Sequence, residues 1–421
     1  MKYEELELPY GDSFIKARIP TGNLKHVLNT RYVKGLNNES AAITASLRSP
    51  ISSLPLCDRI NASDKIIVLV TDNTRPCPDD RLLPPILAEL ECKVSRDNIT
   101  IIVALGLHPP LNRDELIKLL GPKIIENYEV INHDVNDTIC VGTTSRGTPV
   151  DINRRVVNAD FRISTGFIEP HFFAGFSGGR KSMAPGVFSV RSAYKNHSYK
   201  MIEHPCTRDG ILIGNQLHAD LLEQAKLARQ DFIVNVLLNK QKEITHVVAG
   251  DPVKAHEKGC ELAREITGVE VSQKADITIT TNSGSPLDLD LYQSCKGMYT
   301  AAKVTRDGGI VIIASACNSG IGPESFRELH ASVERPIEVL QKIRKEEPIG
   351  VQWQNQVLAE LQLHTDIYMV SELEDQVLRD FMIVPINTVE EGLKKAFSIL
   401  GNDAEIIVIP EGPLILPLLG S

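Results

Sequence analysis

The chain has 421 residues, of which 42% are hydrophobic and 24% charged, an ordinary globular composition with room for two domains. Its net charge of -9, with no compensating run of Lys or Arg, argues against a nucleic-acid surface. The first residues lack the apolar segment of a signal peptide, and no apolar run reaches the roughly 20 residues that span a bilayer, so no membrane partner is expected.

Eight cysteines are scattered along the chain at positions 57, 77, 92, 140, 206, 260, 295 and 317, with no C-x-x-C pair. This spacing fits neither a disulfide scaffold nor a structural zinc site. It predicts a protein of the reducing cytoplasm.

The first half of the chain predicts strands that alternate with helices. Residues 2–20 predict a hairpin with its turn at residues 9–12, because two alternating segments flank Pro, Gly and Asp. Short continuous apolar runs are typical of strands buried on both faces of a parallel sheet. They occur at 65–70, 99–105, 128–131 and 161–164, with helical patterns near 80–92 and 113–120.

Polar residues follow these strands where each strand ends. In a doubly wound α/β sheet, ligands bind outside the carboxyl ends of the strands. The sequence therefore predicts a site that draws on the residues just after the strands, namely Asp72, Arg75, His108, His133 and His171. His133 is expected only to support the site.

The stretch from Thr165 to Ser182 is rich in glycine and aromatic residues, and glycines allow a backbone to approach a phosphate closely. It approaches the P-loop motif G-x-x-x-x-G-K-[ST], but Arg180 stands where the motif needs its second glycine, which argues against an ATPase. A helical pattern from 190 to 200 follows. One strand-to-helix unit thus carries His171, Lys181 and His197.

The second half begins with a predicted helix at 214–229, a strand pair at 232–237 and 244–249, and a helix at 252–266. A second α/β pattern follows a polar junction, with strands at 275–280, 309–314, 366–370 and 405–409. Its predicted helix near 291–298 places Gln293 and Lys296 on one face. The chain's one tryptophan, Trp353, comes later.

These patterns predict two α/β domains with largely parallel, doubly wound sheets and an active site in the cleft between them. We expect an N-terminal cofactor-binding domain over residues 1–268 and a C-terminal domain over residues 269–404. The apolar tail, residues 405–421, is expected to pack back on the first domain.

The combination of His171, Lys181 and His197 resembles the nickel-pincer-nucleotide family, whose founding activity is lactate racemase. The resemblance implies that His171 is an acid/base, that Lys181 tethers the cofactor and that His197 ligates nickel. It extends over both predicted domains. Further matches are the cofactor-contacting segment Asp72, Asn73, Thr74 and Arg75 with Gly178 and Gly179, the second acid/base His108, and the substrate-binding residues Arg75, Tyr292, Gln293, Lys296 and Trp353.

The resemblance implies a racemase or epimerase of a 2-hydroxy acid. The cofactor would be nickel pyridinium-3,5-bisthiocarboxylic acid mononucleotide, supplied by cofactor-synthesising proteins. No side chain accepts hydride, so the cofactor would take it from the substrate Cα and leave a planar 2-keto acid. His108 and His171 would alternate as acid and base. Lactate, malate, longer aliphatic or aromatic hydroxy acids and sugar acids all remain candidate substrates.

Two other functional classes stay open. A nicotinamide-dependent 2-hydroxy acid dehydrogenase would need G-x-G-x-x-G after a strand, and the sequence has only Gly320-Ile321-Gly322. A non-catalytic nickel-nucleotide binding module would keep Lys181 and His197 but would not need His108 and His171. The presence of both histidines favours catalysis.

Overall fold

The computed structural model describes residues 2–345, 348 and 350–420. The chain divides into two compact units. One is formed by residues 32–266, and the other combines the residues up to 31 with those from 267 onward. We call them the central unit and the terminal unit.

The central unit is built on a six-stranded sheet. All neighbouring strands are parallel except one antiparallel pair at the edge. The strands Ile66–Val70 and Ile99–Val103 are buried along their whole length, as expected for strands covered by helices on both faces. The strand order is Ile244–Gly250, Phe232–Leu238, Phe161–Phe167, Ile66–Val70, Ile99–Val103 and Glu129–Asn132.

Helices surround this sheet, and several begin at residues that suit a helix N-terminus. Asn112 and Glu115 form a capping box at the start of Arg113–Leu120. Two short antiparallel pairs join Thr138–Thr143 to Pro149–Asn153 and Pro170–His171 to Gly175–Phe176. The helices are Glu39–Arg48, Asp79–Glu91, Arg113–Leu120, Pro122–Asn127, Arg154–Val157, Val190–Asn196, Tyr199–Ile202, Gln216–Leu227 and Lys254–Thr267, with 3-10 turns at Leu56–Arg59, Arg96–Asn98 and Gly179–Ser182.

The terminal unit contains a second six-stranded sheet, and all of its strands are parallel. Its strand order is Val384–Pro385, Thr365–Val370, Thr305–Ala314, Ala275–Thr281, Ile406–Ile409 and Leu24–Val27. Its helices are Leu291–Val304, Glu324–Ala331, Pro336–Lys345, Gln352–Gln362, Asp375–Asp380 and Val389–Leu400, with a 3-10 turn at Gly412–Leu414.

The predicted N-terminal hairpin is present, with Tyr3–Tyr10 paired to Ser13–Pro20. Its buried side chains, Leu8, Ala17 and Ile19, belong to the same hydrophobic cluster as the strand residues of the terminal sheet. The predicted α/β class with largely parallel sheets in two units is therefore confirmed. In the described part of the chain, no helix is both long and apolar enough to cross a membrane.

Two strand pairings differ from the expected domain boundaries. Leu24–Val27 pairs with Ile406–Ile409, and Leu416–Leu419 pairs with Gly268–Val271. The N-terminal residues and the 405–421 tail therefore belong to the terminal unit. Apolar patterning marks a strand but does not identify its partner when the two are far apart in sequence, which explains the difference.

The helix predicted from 190 to 200 is interrupted. It ends at Asn196, and His197 is its capping residue, with φ -94° and ψ 26°. Ser198 then adopts extended backbone and precedes a separate turn, Tyr199–Ile202. His197 therefore lies at a helix end and not within a helix.

Candidate active site

The central unit brings three of the predicted site residues to one edge of its sheet. Asp72, His108 and His171 follow Ile66–Val70, Ile99–Val103 and Phe161–Phe167. These are three neighbouring parallel strands, so their carboxyl ends open on the same edge.

Asp72 and His108 form a hydrogen-bonded pair, with Nδ1 of His108 against Oδ2 of Asp72. The other carboxylate oxygen accepts from the Thr74 hydroxyl at 2.7 Å and the Thr74 backbone N–H at 3.3 Å. Burial acts to raise the pKa of Asp72, but the hydrogen bond and charge of His108 and then the charge of Arg75 outweigh it, so the pKa is lowered. An ionised carboxylate only accepts, so Nδ1 of His108 carries the proton and Nε2 can hold a lone pair.

The side chains of Asp72 and Arg75, three residues apart, do not form a hydrogen-bonded pair. The carboxylate of Asp72 bonds to His108 and Thr74, and Arg75 acts on it through its charge. Asn73, between them, is exposed.

His171 lies in the short strand Pro170–His171, and its Nδ1 has the opposite role to Nδ1 of His108. Its Nδ1 accepts from the backbone N–H groups of Phe173 and Ala174 at 3.2 and 3.3 Å, and its ring stacks on Phe172 with centroids 5.1 Å apart. An accepting Nδ1 carries no proton, so the neutral ring carries it on Nε2. His108 and His171 are therefore held in opposite tautomers.

The glycine loop has no space for side chains. Gly178 and Gly179 have φ of 71° and 57°, and a Cβ on Gly179 would lie 2.5 Å from Cγ of His256. Both backbone groups of Gly179 are bound: its N–H donates to Asn235 Oδ1 at 2.6 Å, and its carbonyl accepts from Gln230 Nε2 at 2.9 Å. Both glycines are themselves buried, so the loop is a fixed turn whose glycines allow close packing against the side chains of His256 and Asn235.

Lys181 follows these glycines in the 3-10 turn Gly179–Ser182 and is half-buried. Its carbonyl accepts from the Gly186 N–H at 3.2 Å, and the Gly186 carbonyl accepts from the Gly106 N–H at 2.8 Å. Two backbone bonds therefore join the segment of Lys181 to the loop that carries His108.

His197 is buried, and its Nδ1 lies 3.2 Å from the carbonyl oxygen of Ala193. Burial, followed by the charge of Lys181, lowers the pKa of His197 to about 3, so the ring is neutral. A neutral ring that donates Nδ1–H to a carbonyl presents Nε2 as a lone-pair ligand, which is how metal-binding histidines are usually held.

These residues fit the nickel nucleotide that the resemblance implies. Lys181 offers an amine, and His197 offers one neutral imidazole. Within the residues that the structure describes, no group of three or more His, Cys, Asp or Glu side chains is arranged to hold a metal ion.

The terminal unit holds the other predicted residues in one cluster. Asp290 caps the helix Leu291–Val304, and Lys296 Nζ donates to Gln293 Oε1 at 2.7 Å, as expected for residues three apart on one helix face. Trp353 is buried and donates from Nε1 to the Tyr292 hydroxyl at 2.8 Å.

His133 bonds to Phe188 and Asn153, and its observed bonds do not include another histidine of the candidate site. Its Nε2 lies 3.0 Å from the Phe188 carbonyl, and its Nδ1 lies 3.1 Å from Asn153 Nδ2. It therefore supports the segment that leads into the helix Val190–Asn196.

Sequence reasoning missed several buried polar residues around the site. Asp79 accepts from the hydroxyls of Thr71 and Thr165, and Asp220 accepts from Asn196, the neighbour of His197. Asp79 had a usable signal, because it opens the helix directly after the loop of Asp72. Asp220 and Asn235 had none, since each lies inside a regular element.

Comparison with known proteins gives the same family over both halves. The profile described as lactate racemase N-terminal domain matches residues 10–210, and the lactate racemase C-terminal domain matches residues 270–416. Lactate racemase of Thermoanaerobacterium thermosaccharolyticum is 36% identical over 417 residues, covering 97% of each chain. That of Lactiplantibacillus plantarum is 35% identical over 416 residues, covering 97% of this chain and 98% of that one.

Two solved structures share the fold of this chain. The lactate racemase apoprotein from Thermoanaerobacterium thermosaccharolyticum matches with a TM-score of 0.94 and 35% identity, covering 99% of this chain and 100% of that one. A Thermotoga maritima protein, at 17% identity and a TM-score of 0.71 over 92% of this chain and 100% of that one, shares the fold. The chain belongs to the lactate racemase family and is an isomerase of the racemase class.

Proposed function

We propose that this racemase acts on a 2-hydroxy acid of the lactate type, with His108 and His171 exchanging the hydroxyl proton on opposite faces of the substrate. The observation that carries the proposal is the opposite tautomers of the two imidazoles at one sheet edge. His108 offers a lone pair on Nε2, and His171 offers an N–H on Nε2. A base and a proton donor are what inversion of a hydroxylated carbon requires.

His108 takes the hydroxyl proton on Nε2 in one direction. The ionised Asp72 on Nδ1 then stabilises the imidazolium, since a buried carboxylate favours the charged ring. The Cα–H bond breaks with its electron pair and the C–O bond becomes a carbonyl, which gives a planar 2-keto acid. His171 gives its Nε2 proton to the oxygen when the hydrogen is restored to the other face, and the proton taken by His108 passes back to His171 through solvent, so that both rings end neutral. The same exchange runs in reverse for the other enantiomer.

A bound nickel-pincer nucleotide would supply the acceptor for the Cα hydrogen. The residues proposed to hold it are the glycine pair Gly178–Gly179, Lys181 as a covalent tether, His197 as the nickel ligand, and the segment from Asp72 to Arg75. We propose further that other proteins synthesise this cofactor and that the enzyme works in the cytoplasm.

The substrate carboxylate is assigned to Arg75, whose planar guanidinium suits a bidentate carboxylate. The cluster of the terminal unit is proposed as a further set of substrate-binding residues. There the Lys296–Gln293 pair provides a cation and an amide, while Tyr292 and Trp353 form a hydrogen-bonded aromatic pair.

The test is a chiral assay across a panel of 2-hydroxy acids, using protein from a host that makes the cofactor and from one that does not. We expect nickel and racemisation only in the first preparation. Racemisation by nickel-free, nucleotide-free protein would refute the cofactor assignment. Nickel without racemisation would indicate a binding module, and reduction of a nicotinamide would indicate a dehydrogenase.

The two-base assignment is tested by His108→Ala and His171→Ala. Each should lower kcat by ~10²- to 10⁴-fold from both enantiomers, the usual worth of a general acid or base, while nickel content is kept. His246→Ala, on the edge strand Ile244–Gly250, is the control and should keep its activity. Near-full activity in either site variant would return that histidine to a structural role.

A further inference from the structure

Arg180 is a fully buried cation in the segment between His171 and Lys181. Its side chain has 0% exposure, and the structure gives it no ion pair with a carboxylate among the described residues. Burial lowers the pKa of Arg180 to about 10, only partly opposed by Cys260, so the guanidinium is still charged at neutral pH. Burying a charge without an opposite charge beside it is unfavourable unless hydrogen bonds compensate for the lost water.

The guanidinium is surrounded by backbone carbonyls of the glycine loop. It donates to the carbonyls of Ala174 at 2.8 Å, Phe176 at 3.0 Å and Gly178 at 3.5 Å. Its fourth contact is Nε2 of His256 at 3.0 Å, a nitrogen that also lies 2.9 Å from the carbonyl oxygen of Ser177. One side chain thus gathers three carbonyls, from alternate residues, between His171 and Lys181.

Ala174 connects this cluster to a proposed acid/base. Its carbonyl accepts from Arg180, and its N–H donates to Nδ1 of His171 at 3.3 Å. We infer that Arg180 is a positioning residue that fixes the loop 174–178, and through Ala174 holds His171 in the tautomer with its proton on Nε2. Because Lys181 is the next residue, the same anchor fixes the backbone from which its amine projects.

This role accounts for the residue that breaks the P-loop pattern. A glycine at position 180 would leave the carbonyls of Ala174 and Phe176 without these donors in a buried setting, which destabilises the loop. A lysine would keep the charge but lose the planar fork that reaches several acceptors at once.

The experiment compares Arg180→Lys with Arg162→Lys, with histidine ¹⁵N NMR of the cofactor-free chain as the readout. Arg162 is a control matched in burial and in carbonyl contacts, since it has 1% exposure and donates to the carbonyls of Val156, Val157 and Ala159. It differs in that it also pairs with Asp231. It lies at the amino end of the strand Phe161–Phe167 and touches no part of the glycine loop in its described bonds. The His171 signals are assigned by their loss in His171→Gln.

We expect the wild type to show His171 with its proton on Nε2, Arg180→Lys to show a mixture of tautomers, and Arg162→Lys to match the wild type. If Arg180→Lys does not fold, Arg180→Gln, which keeps two N–H donors, carries the same comparison. A wild-type His171 with its proton on Nδ1, or an unchanged tautomer in the Arg180 variant, overturns the inference.

The kinetic consequence rests on the proposed function. In cofactor-loaded protein, Arg180→Lys should lower kcat by about 10²-fold, the cost of a small misplacement of a catalytic group, with KM changed only a few-fold. Full activity in His171→Ala would defeat the proposed function and leave the NMR result standing. Inactive His171→Ala with an unchanged tautomer in Arg180→Lys would defeat only the role of Arg180.

Discussion

Buried polar residues at the strand ends determine how the side chains of the candidate site are held. Position after a strand was enough to predict Asp72, His108 and His171. It was not enough to predict that Asp72 bonds to His108, because the two lie 36 residues apart and meet only through the order of the strands. Sequence neighbours such as Asp72 and Arg75 suggest a pairing that the folded chain does not use.

Asp79 is a buried carboxyl with a testable pH dependence. Its oxygens accept from Thr71 and Thr165, yet burial is the largest influence and raises its pKa from 3.8 to about 6. Because Asp79 holds its proton more tightly in the folded state than in the unfolded state, protonation of Asp79 stabilises the fold. This stabilisation is complete below the unfolded pKa of 3.8 and is lost as the pH rises through the folded pKa of about 6.

We therefore predict that wild-type stability falls relative to Asp79→Asn between pH 4 and pH 7. A shift of about two pKa units corresponds to roughly 3 kcal/mol in the free energy of unfolding. Urea unfolding of both proteins across this range measures the difference. The exposed neighbour is the control: Asp80→Asn should parallel the wild type, and parallel curves for Asp79→Asn would contradict the prediction.

At the scale of elements, the helix Val190–Asn196 is anchored at both ends. At its start, the Ser189 hydroxyl caps the Ser192 N–H and bonds to Asp151. At its end, Asn196 Nδ2 donates to Asp220 Oδ2 at 2.7 Å. The helical pattern predicted the element but not its end, because Ser198 starts a new turn and leaves His197 at the junction.

The anchor at Asn196 should matter for His197, which comes directly after it. Asn196→Ala removes that bond, and we predict 10- to 100-fold weaker nickel retention, the usual range for losing support behind a metal ligand. Nickel remaining after dialysis against a chelator is the measurement.

Gln224→Ala is the matched control. Gln224 also donates to Asp220 Oδ2 at 2.7 Å, but it lies on another helix, Gln216–Leu227. It should lose a similar amount of stability and keep its nickel. Equal nickel loss in both variants would show that Asp220 acts on stability alone.

At the scale of the whole molecule, local patterns predicted the strands but not all of their partners. Ile66–Val70 and Ile99–Val103 were evident as continuous apolar runs between turn residues. The pairing of Leu24–Val27 with Ile406–Ile409 joins segments about 380 residues apart, and no local signal encodes it. The α/β class was therefore predictable, whereas the unit to which residues 1–31 and 405–421 belong was not.

This membership leads to a prediction about fragments. Residues 32–266 contain a complete sheet and their own hydrophobic cluster, so this fragment should fold alone. Residues 267–421 should not, because they lack the edge strand Leu24–Val27 and the hairpin that places Leu8 and Ile19 in their core. Apolar surface left open in this way removes the main driving force for folding and promotes association.

Circular dichroism and urea unfolding of the separate fragments provide the measurement. Fusing residues 1–31 after residue 421 through a flexible linker should restore cooperative unfolding to the second fragment, because it returns the missing strand and apolar side chains. A scrambled 1–31 segment of the same composition is the control and should not restore it. If residues 267–421 unfold cooperatively on their own, the N-terminal segment is an accessory to this unit and not part of its core.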